Sequence, residues 1–331
     1  MITRRRFTGV LAAGVATAGW ASSAPPAGAA PLGATSLGVI KHVRAGELDM
    51  AYAEFGPADG PPVVLLHGWP YDAGSFVDVG PLLAEAGHRV VVPFLRGYGP
   101  TRFRSADTKR NGQQSAVALD VLALMDALGI DRAVLAGFDW GARTVGVLAA
   151  LWPRRCRAVV PVSGYLITDV EANREPLAPA AELGWWYQYY FATERGVLGY
   201  RRDVREFNRL IWRTASPSWD FDAATYDRTA ASFDNPDHVD VVIHNYRWRL
   251  GLAPGEPRYD RYERRLATRP VITVPAITVG SDFDGAAADG AGYRDRFTGP
   301  YEHRVFAGVG HNVPQEAPEL FARAVLDAGR L

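Results

Sequence analysis

Between residues 36 and 165 the apolar positions fall into two alternating rhythms. Short runs at 62–66 (PVVLL), 89–93 (RVVVP), 133–136 (AVLA) and 158–160 (AVV) hold hardly a polar residue, the pattern of strands buried on both faces. Between them, 75–86, 113–128 and 142–151 carry apolar residues at helical spacing and predict helices. Segments 38–44 and 50–55 have no helix between them and predict an antiparallel hairpin. Strands alternating with helices predict an α/β fold: a mostly parallel, twisted sheet covered by helices on both faces.

The rhythm breaks at residue 166. Residues 166–268 are rich in Trp, Tyr and Arg, lack buried-strand runs and predict helices and loops. Strand patterns return at 274–280 and 304–306, followed by a helix over 318–328. The expected organisation is therefore an α/β core from 36–165 and 269–331, interrupted by a helical cap over 166–268. Such an insertion sits over the C-terminal ends of the strands, where α/β sheets place their sites.

Residues 1–29 stand apart. Thr3-Arg4-Arg5-Arg6-Phe7 precedes an uncharged Ala/Gly-rich stretch and ends at Ala27-Gly28-Ala29. A charged start, a short apolar run and a small-residue cleavage site predict a signal peptide, here of twin-arginine type. The mature chain is expected to begin near Ala30 and to be exported to the periplasm or beyond. The apolar run is too short to serve as a membrane anchor.

Composition narrows the function classes. Of 331 residues, 48% are hydrophobic and 22% charged, which excludes a disordered or fibrous chain. Lys+Arg and Asp+Glu number 36 each, so no basic surplus favours nucleic acid. The single cysteine, Cys156, excludes an internal disulfide and a cysteine-based metal site. Nine tryptophans suggest an apolar pocket.

The sharpest chemical signal is Gly137-Phe138-Asp139-Trp140-Gly141, directly after the strand at 133–136 and opening the next helix. It has the G-x-nucleophile-x-G form of a nucleophile elbow in the strand–turn–helix setting that motif needs, with aspartate at the apex. His67-Gly68-Trp69-Pro70 follows the 62–66 strand at the position of an oxyanion-hole loop. The backbone amides of Trp69 and Trp140 are the expected donors. His311 lies in the Gly-flanked loop Gly308-Val309-Gly310-His311-Asn312 and is the expected general base. A third member, the acid that orients the base, is expected in Gly280-Ser281-Asp282-Phe283-Asp284-Gly285; Asp284 is favoured and Asp282 remains open.

These motifs resemble the epoxide-hydrolase branch of the α/β-hydrolase superfamily over nearly all of residues 36–331. The resemblance implies that the cap supplies two tyrosines that hydrogen-bond the epoxide oxygen: Tyr187 in Trp186-Tyr187-Gln188-Tyr189-Tyr190-Phe191, and Tyr246 in Asn245-Tyr246-Arg247. His67, Phe138 and Trp185 are expected to line the substrate pocket. Leu95-Arg96-Gly97-Tyr98-Gly99 matches the family's RGYG turn, although Phe94 stands where aspartate is usual and Phe138 where histidine is frequent.

A carboxylate nucleophile suits attack on saturated carbon, because the alkyl ester it forms is hydrolysable at its own carbonyl. The expected reaction is opening of a small apolar epoxide by water to a vicinal diol, with no metal or organic cofactor. The alternative with the same nucleophile is a haloalkane or haloacid dehalogenase, in which Trp140 and Trp185 would cradle the halide.

Overall fold

The computed structural model describes residues 36–331; the expected signal peptide at 1–29 lies outside the described residues. Strands β1 (Lys41–Ala45), β2 (Leu48–Phe55), β3 (Pro62–Leu66) and β4 (Arg89–Pro93) are followed by the two-residue β5 (Arg102–Phe103). Then come β6 (Ala133–Gly137), β7 (Cys156–Pro161), β8 (Ala276–Ser281) and β9 (Tyr301–Phe306). They form one sheet in the order β1-β2-β4-β3-β6-β7-β8-β9, with β5 paired to β2. β1 and β2 make the expected antiparallel hairpin, and every neighbour from β4 to β9 is parallel.

The core helices are α1 (Val79–Glu85), α2 (Gln114–Ala127) and α3 (Trp140–Leu151). All twelve residues of α3 are buried, which is why it has no polar stripe. It ends at Trp152, ahead of Pro153, which disfavours helical backbone at the residue before it. The helix predicted over 75–86 is broken in two: a 3-10 turn at Ala73–Phe76, capped by the Asp72 side chain on the Gly74 amide, and then α1. Pro81 has no N–H to bond back across Val77, so it is tolerated only within the first turn of a new helix.

Two other boundaries moved. Predicted to start at 274, β8 starts at Ala276, because Pro275 cannot donate to the ladder. β9 begins three residues before the predicted 304, pairing with β8 along all six residues. Its charged members Glu302 and Arg304 bond to each other at 2.7 Å and hid the strand pattern.

Between β7 and β8 the chain forms only helices: α4 (Pro179–Gly184), α5 (Trp186–Ala192), α6 (Glu194–Arg202), α7 (Val204–Ala215), α8 (Ala223–Ala230), α9 (His238–Arg249) and α10 (Asp260–Ala267), with short 3-10 turns. Side chains of Thr193, Asp203 and Asp222 cap α6, α7 and α8. The helix α7 buries Asn208, Ile211 and Trp212 at helical spacing. The Trp212 indole reaches the loop after β3, where its Nε1 donates to Pro70 O at 2.8 Å and its ring stacks on Tyr71. After β9, α11 (Val313–Glu316) and α12 (Pro318–Ala328) close the fold. Among the described residues no helix is long and apolar enough to cross a membrane.

Candidate active site

The site is built where β6 turns into α3. Asp139 at the apex has φ 52° and ψ −120°, a left-handed backbone that a residue with a Cβ adopts at a cost of about 1–3 kcal/mol. The turn is held by close packing against the end of β3: a Cβ on Gly141 would lie 1.8 Å from the Leu66 carbonyl oxygen. This strained corner lifts the Asp139 carboxylate out of the sheet layer toward the helical insertion.

Asp139 Oδ1 accepts from the Trp69 amide at 2.7 Å, and Oδ2 lies 3.6 Å from His311 Nε2. Burial works against its ionisation, but His311, the nearby Arg143 guanidinium and the Trp69 amide outweigh it and hold the carboxyl below its usual range. The Trp140 amide belongs to the first residue of α3, where an N–H has no partner within the helix. Gly68 lies against both groups: a Cβ there would come 2.3 Å from Asp139 Oδ1 and 2.6 Å from Trp140 N. The two predicted oxyanion donors and the carboxylate thus share one cramped corner.

His311 is buried beside the carboxylate in the loop between β9 and α11. Its backbone amide donates to Ser216 Oγ at 2.8 Å, and Ser216 donates to Glu316 Oε1 at 2.6 Å. Glu316 also accepts from the amides of Gly310 and Asn312 at 2.7 and 2.9 Å, which ties the loop to its own helix. The other ring nitrogen, Nδ1, lies 3.2 Å from Tyr71 Oη, with the two rings stacked.

The predicted acid departs from expectation here. Asp284 accepts from the Ser281 amide at 3.0 Å as part of a capping box. Burial raises its pKa against the Ser163 hydroxyl and the Ser281 amide, and His311 acts on it only through space. Asp282, exposed, accepts from the Gly308 amide at 3.0 Å. Neither loop carboxylate is hydrogen-bonded to His311 Nδ1: on the 3-10 turn at 282–287 each accepts from a backbone amide, and Asp284 also meets Ser163.

Tyr187 on α5 and Tyr246 on α9 come together as expected. Their rings meet edge-on at 5.4 Å, and the Trp69 ring lies 4.9 and 5.2 Å from them. Burial raises both phenol pKa values, and the Asp139 charge raises them further. Both are therefore protonated donors at neutral pH.

The predicted pocket-lining residues fare differently. His67 is buried with both ring nitrogens engaged, Nε2 accepting from Leu95 N and Nδ1 against Gly68 O, each at 3.1 Å. Burial pushes its pKa down to about 4, so it is a neutral support for the loop. Phe138 is buried and packs against Tyr71, Phe76 and the His311 ring. Trp185 is 37% exposed: it ends α4, and the neighbouring Trp186 is the indole that packs on Tyr187.

Several groups had no signal in the sequence. Tyr71 is one. Tyr200 is another, its hydroxyl accepting from Trp69 Nε1 at 2.9 Å and meeting His238 Nε2 at 2.9 Å. His238 Nδ1 meets Gly97 O at 3.0 Å, so one buried chain links the oxyanion loop, the insertion and the RGYG turn. Arg143, one helical turn beyond Asp139, is only 6% exposed and is anchored by Nε to Leu166 O at 3.1 Å. Burial and the nearby Arg249 push its pKa down to about 10, against the pull of Asp139, Tyr246 and Tyr187. Among the described residues no group of three or more metal-ligating side chains is gathered.

Residues 61–318 match the family model described as the alpha/beta hydrolase fold. Epoxide hydrolase B of Mycobacterium tuberculosis is 36% identical, covering 81% of this chain and 91% of that protein. Epoxide hydrolase A of the same organism is 28% identical, covering 83% and 92%. A solved structure from Klebsiella pneumoniae subsp. pneumoniae, described as a candidate epoxide hydrolase, superposes with a TM-score of 0.88 at 56% identity, covering 90% of this chain and 99% of that one. The chain therefore belongs to the α/β-hydrolase fold family and is an enzyme of its epoxide hydrolase-like branch.

Proposed function

We propose that the protein hydrolyses a small apolar epoxide to a vicinal diol through a covalent ester on Asp139. The observation that carries this reading is an ionised aspartate at the elbow with two protonated phenols, Tyr187 and Tyr246, gathered over the same tryptophan. Asp139 Oδ2 attacks an epoxide carbon, the ring C–O bond breaks, and the leaving oxygen is met by the tyrosine hydroxyls. Oδ1 then becomes the ester carbonyl oxygen, resting on the Trp69 amide. His311 Nε2 takes a proton from water as that water attacks the ester carbonyl carbon. Trp69 and Trp140 amides hold the oxyanion, a stabilisation worth about 3 kcal/mol per donor. The tetrahedral adduct collapses and His311 returns its proton to the departing alkoxide. The second water proton, left on the Asp139 carboxyl, passes by way of the tyrosines to the oxygen freed by ring opening, and the balance is one epoxide and one water to one diol.

Two further readings belong to this proposal. Residues 166–268 act as a cap that carries the tyrosines, and residues 1–29 export the folded chain. Replacing Arg4 and Arg5 together by Lys should retain the protein in the cytoplasm on fractionation; unchanged export would reject the signal.

The activity test incubates the protein with aryl and alkyl epoxides beside haloalkanes and haloacids, quantifying diol and free halide with Asp139→Ala as control. Diol formation abolished in the variant is the expected result. Halide release without diol would move the assignment to a dehalogenase.

A further inference from the structure

Resting on the covalent cycle above, we propose that Tyr200 and His238 are positioning residues for epoxide opening: they hold the Trp69 indole on which Tyr187 and Tyr246 rest, and so align those two proton donors with Asp139. The indole is the common support of both phenols, its ring 4.9 Å from that of Tyr187 and 5.2 Å from that of Tyr246. The same residue donates its backbone amide to Asp139 Oδ1 at 2.7 Å. A rotation of this one side chain therefore displaces both donors relative to the nucleophile.

The indole is tied by a hydrogen-bond series in which each proton has one place to go. Trp69 Nε1 can only donate, and it meets Tyr200 Oη at 2.9 Å; the Gly97 carbonyl can only accept, and it meets His238 Nδ1 at 3.0 Å. Burial pushes the His238 pKa down to about 3, so the ring is neutral and carries its single proton on Nδ1. Its bare Nε2 must then accept from the Tyr200 hydroxyl, 2.9 Å away, which leaves a Tyr200 lone pair for the indole N–H. The polarity runs one way, from Trp69 through Tyr200 and His238 to Gly97. All three side chains are buried. The Tyr98 ring meets His238 edge-on at 4.8 Å and Phe191 lies 4.9 Å from Tyr200, so neither ring turns without repacking. The two ends lie in the core, in the loops after β3 and β4, whereas Tyr200 comes from α6 and His238 opens α9. Tyr246 lies about two turns further along α9, on the same side of the helix. A Cβ on Gly97 would come 3.1 Å from Val241 and 3.4 Å from His238 Cα, so this turn packs directly on α9. Severing the series therefore loosens both the indole and the helix that carries Tyr246. Among the described residues His311, the base for ester hydrolysis, makes no hydrogen bond to Trp69, Tyr200 or His238.

The test reads ester formation and ester hydrolysis separately, by intact-mass spectrometry and rapid-quench kinetics on the purified protein with styrene oxide as probe. Formation is read in a His311→Ala background, where the adduct accumulates, and hydrolysis in the protein with His311 intact. Tyr200→Phe retains the ring and removes only the hydroxyl. It should slow ester formation by about 10-fold to 100-fold, the scale of a small misplacement of reacting groups, and leave ester hydrolysis at the wild-type rate. Trp69→Phe should slow formation at least as much. Adding Tyr200→Phe to it should cost nothing further, because the N–H that Tyr200 holds is gone. His238→Gln, which keeps an acceptor for Tyr200, should retain more ester formation than His238→Leu. A packing role alone would slow both half-reactions alike or neither, and the costs of Tyr200→Phe and Trp69→Phe would add. Any of these results overturns the assignment and leaves the covalent cycle in place. No adduct in His311→Ala itself rejects the covalent cycle, and the positioning role with it.

Discussion

The Trp69 amide nitrogen lies 2.7 Å from Asp139 Oδ1, so one carboxylate oxygen already rests on a backbone donor in the free protein. In the proposed cycle that oxygen is the one on which negative charge develops when water attacks the ester. A donor in place beforehand needs no reorganisation as the charge appears. The arrangement also leaves Oδ2, on the His311 side, as the attacking atom.

Gly68 is the point at which this corner is most easily broken. A Cβ at that position would sit 2.3 Å from Asp139 Oδ1 and 2.6 Å from Trp140 N, forcing the carboxylate off its donors. Gly68→Ala should lower kcat by about 100-fold or more, the scale of losing an oxyanion donor. Steady-state kinetics on any accepted epoxide would reveal it; wild-type kcat would mean that the carboxylate does not depend on this corner.

The two phenols should act in the first half-reaction only. Tyr187→Phe and Tyr246→Phe should each slow formation of the ester by about 10-fold to 100-fold, and the double variant should nearly abolish it. Ester hydrolysis, measured after the adduct has formed, should be unaffected. Because burial raises both pKa values, the rate of ester formation should show no loss from tyrosine ionisation up to pH 10. An alkaline fall below that pH which vanishes in the Phe variants would contradict this.

Arg143 helps hold the Asp139 pKa down, and Asp139 must be ionised to attack. Arg143→Met should therefore raise that pKa and move the acid limb of the kcat/KM profile to higher pH by about one unit. The direction is the diagnostic: a limb that stays in place, or moves to lower pH, would remove Arg143 from the electrostatics of the nucleophile.

Asp72 offers a stability test independent of catalysis. It is only 4% exposed and accepts from the Gly74 amide, Thr229 Oγ1 and Ser232 Oγ, bridging the loop after β3 to the helical insertion. Burial raises its pKa from 3.8 to about 6, against these hydrogen bonds. A carboxyl that binds its proton more tightly when folded stabilises the fold in its protonated form. That contribution is complete below pH 3.8 and is lost as pH rises through about 6, a difference of about 3 kcal/mol. Asp72→Asn, neutral throughout, should melt several degrees above the wild type at pH 7.5 and gain much less at pH 4. A Tm difference that does not change with pH would show that Asp72 keeps an ordinary pKa.

The strands β3, β4, β6 and β7 were legible because their burial on both faces leaves an unbroken apolar run. The short β5 and the charged first half of β9 carry no such run, and only pairing with β2 and β8 identifies them as strands. The candidate site divided along the same line. Asp139, Trp69 and His311 lie in loops, and Trp140 opens α3, at positions that neighbouring glycines and strand ends announce; the structure brings Asp139 to Trp69 and His311. Asp284 and Trp185 were chosen by loop position and residue type, and both side chains went elsewhere.

What the sequence determined alone is what local chemistry dictates. An aspartate flanked by glycines after a buried strand makes an elbow wherever it occurs, and alternation of strand and helix leaves one sheet topology class. What only the tertiary structure decided is which atoms face one another across segments remote in sequence. Tyr71 and His311 are 240 positions apart, and nothing in either neighbourhood encodes their contact. Trp212 stacked behind Tyr71 and Glu316 gripping the His311 loop leave the imidazole Nδ1 3.2 Å from the Tyr71 hydroxyl. Periodicity reports which face of an element is buried; the packing of all elements together selects the partner of each polar atom.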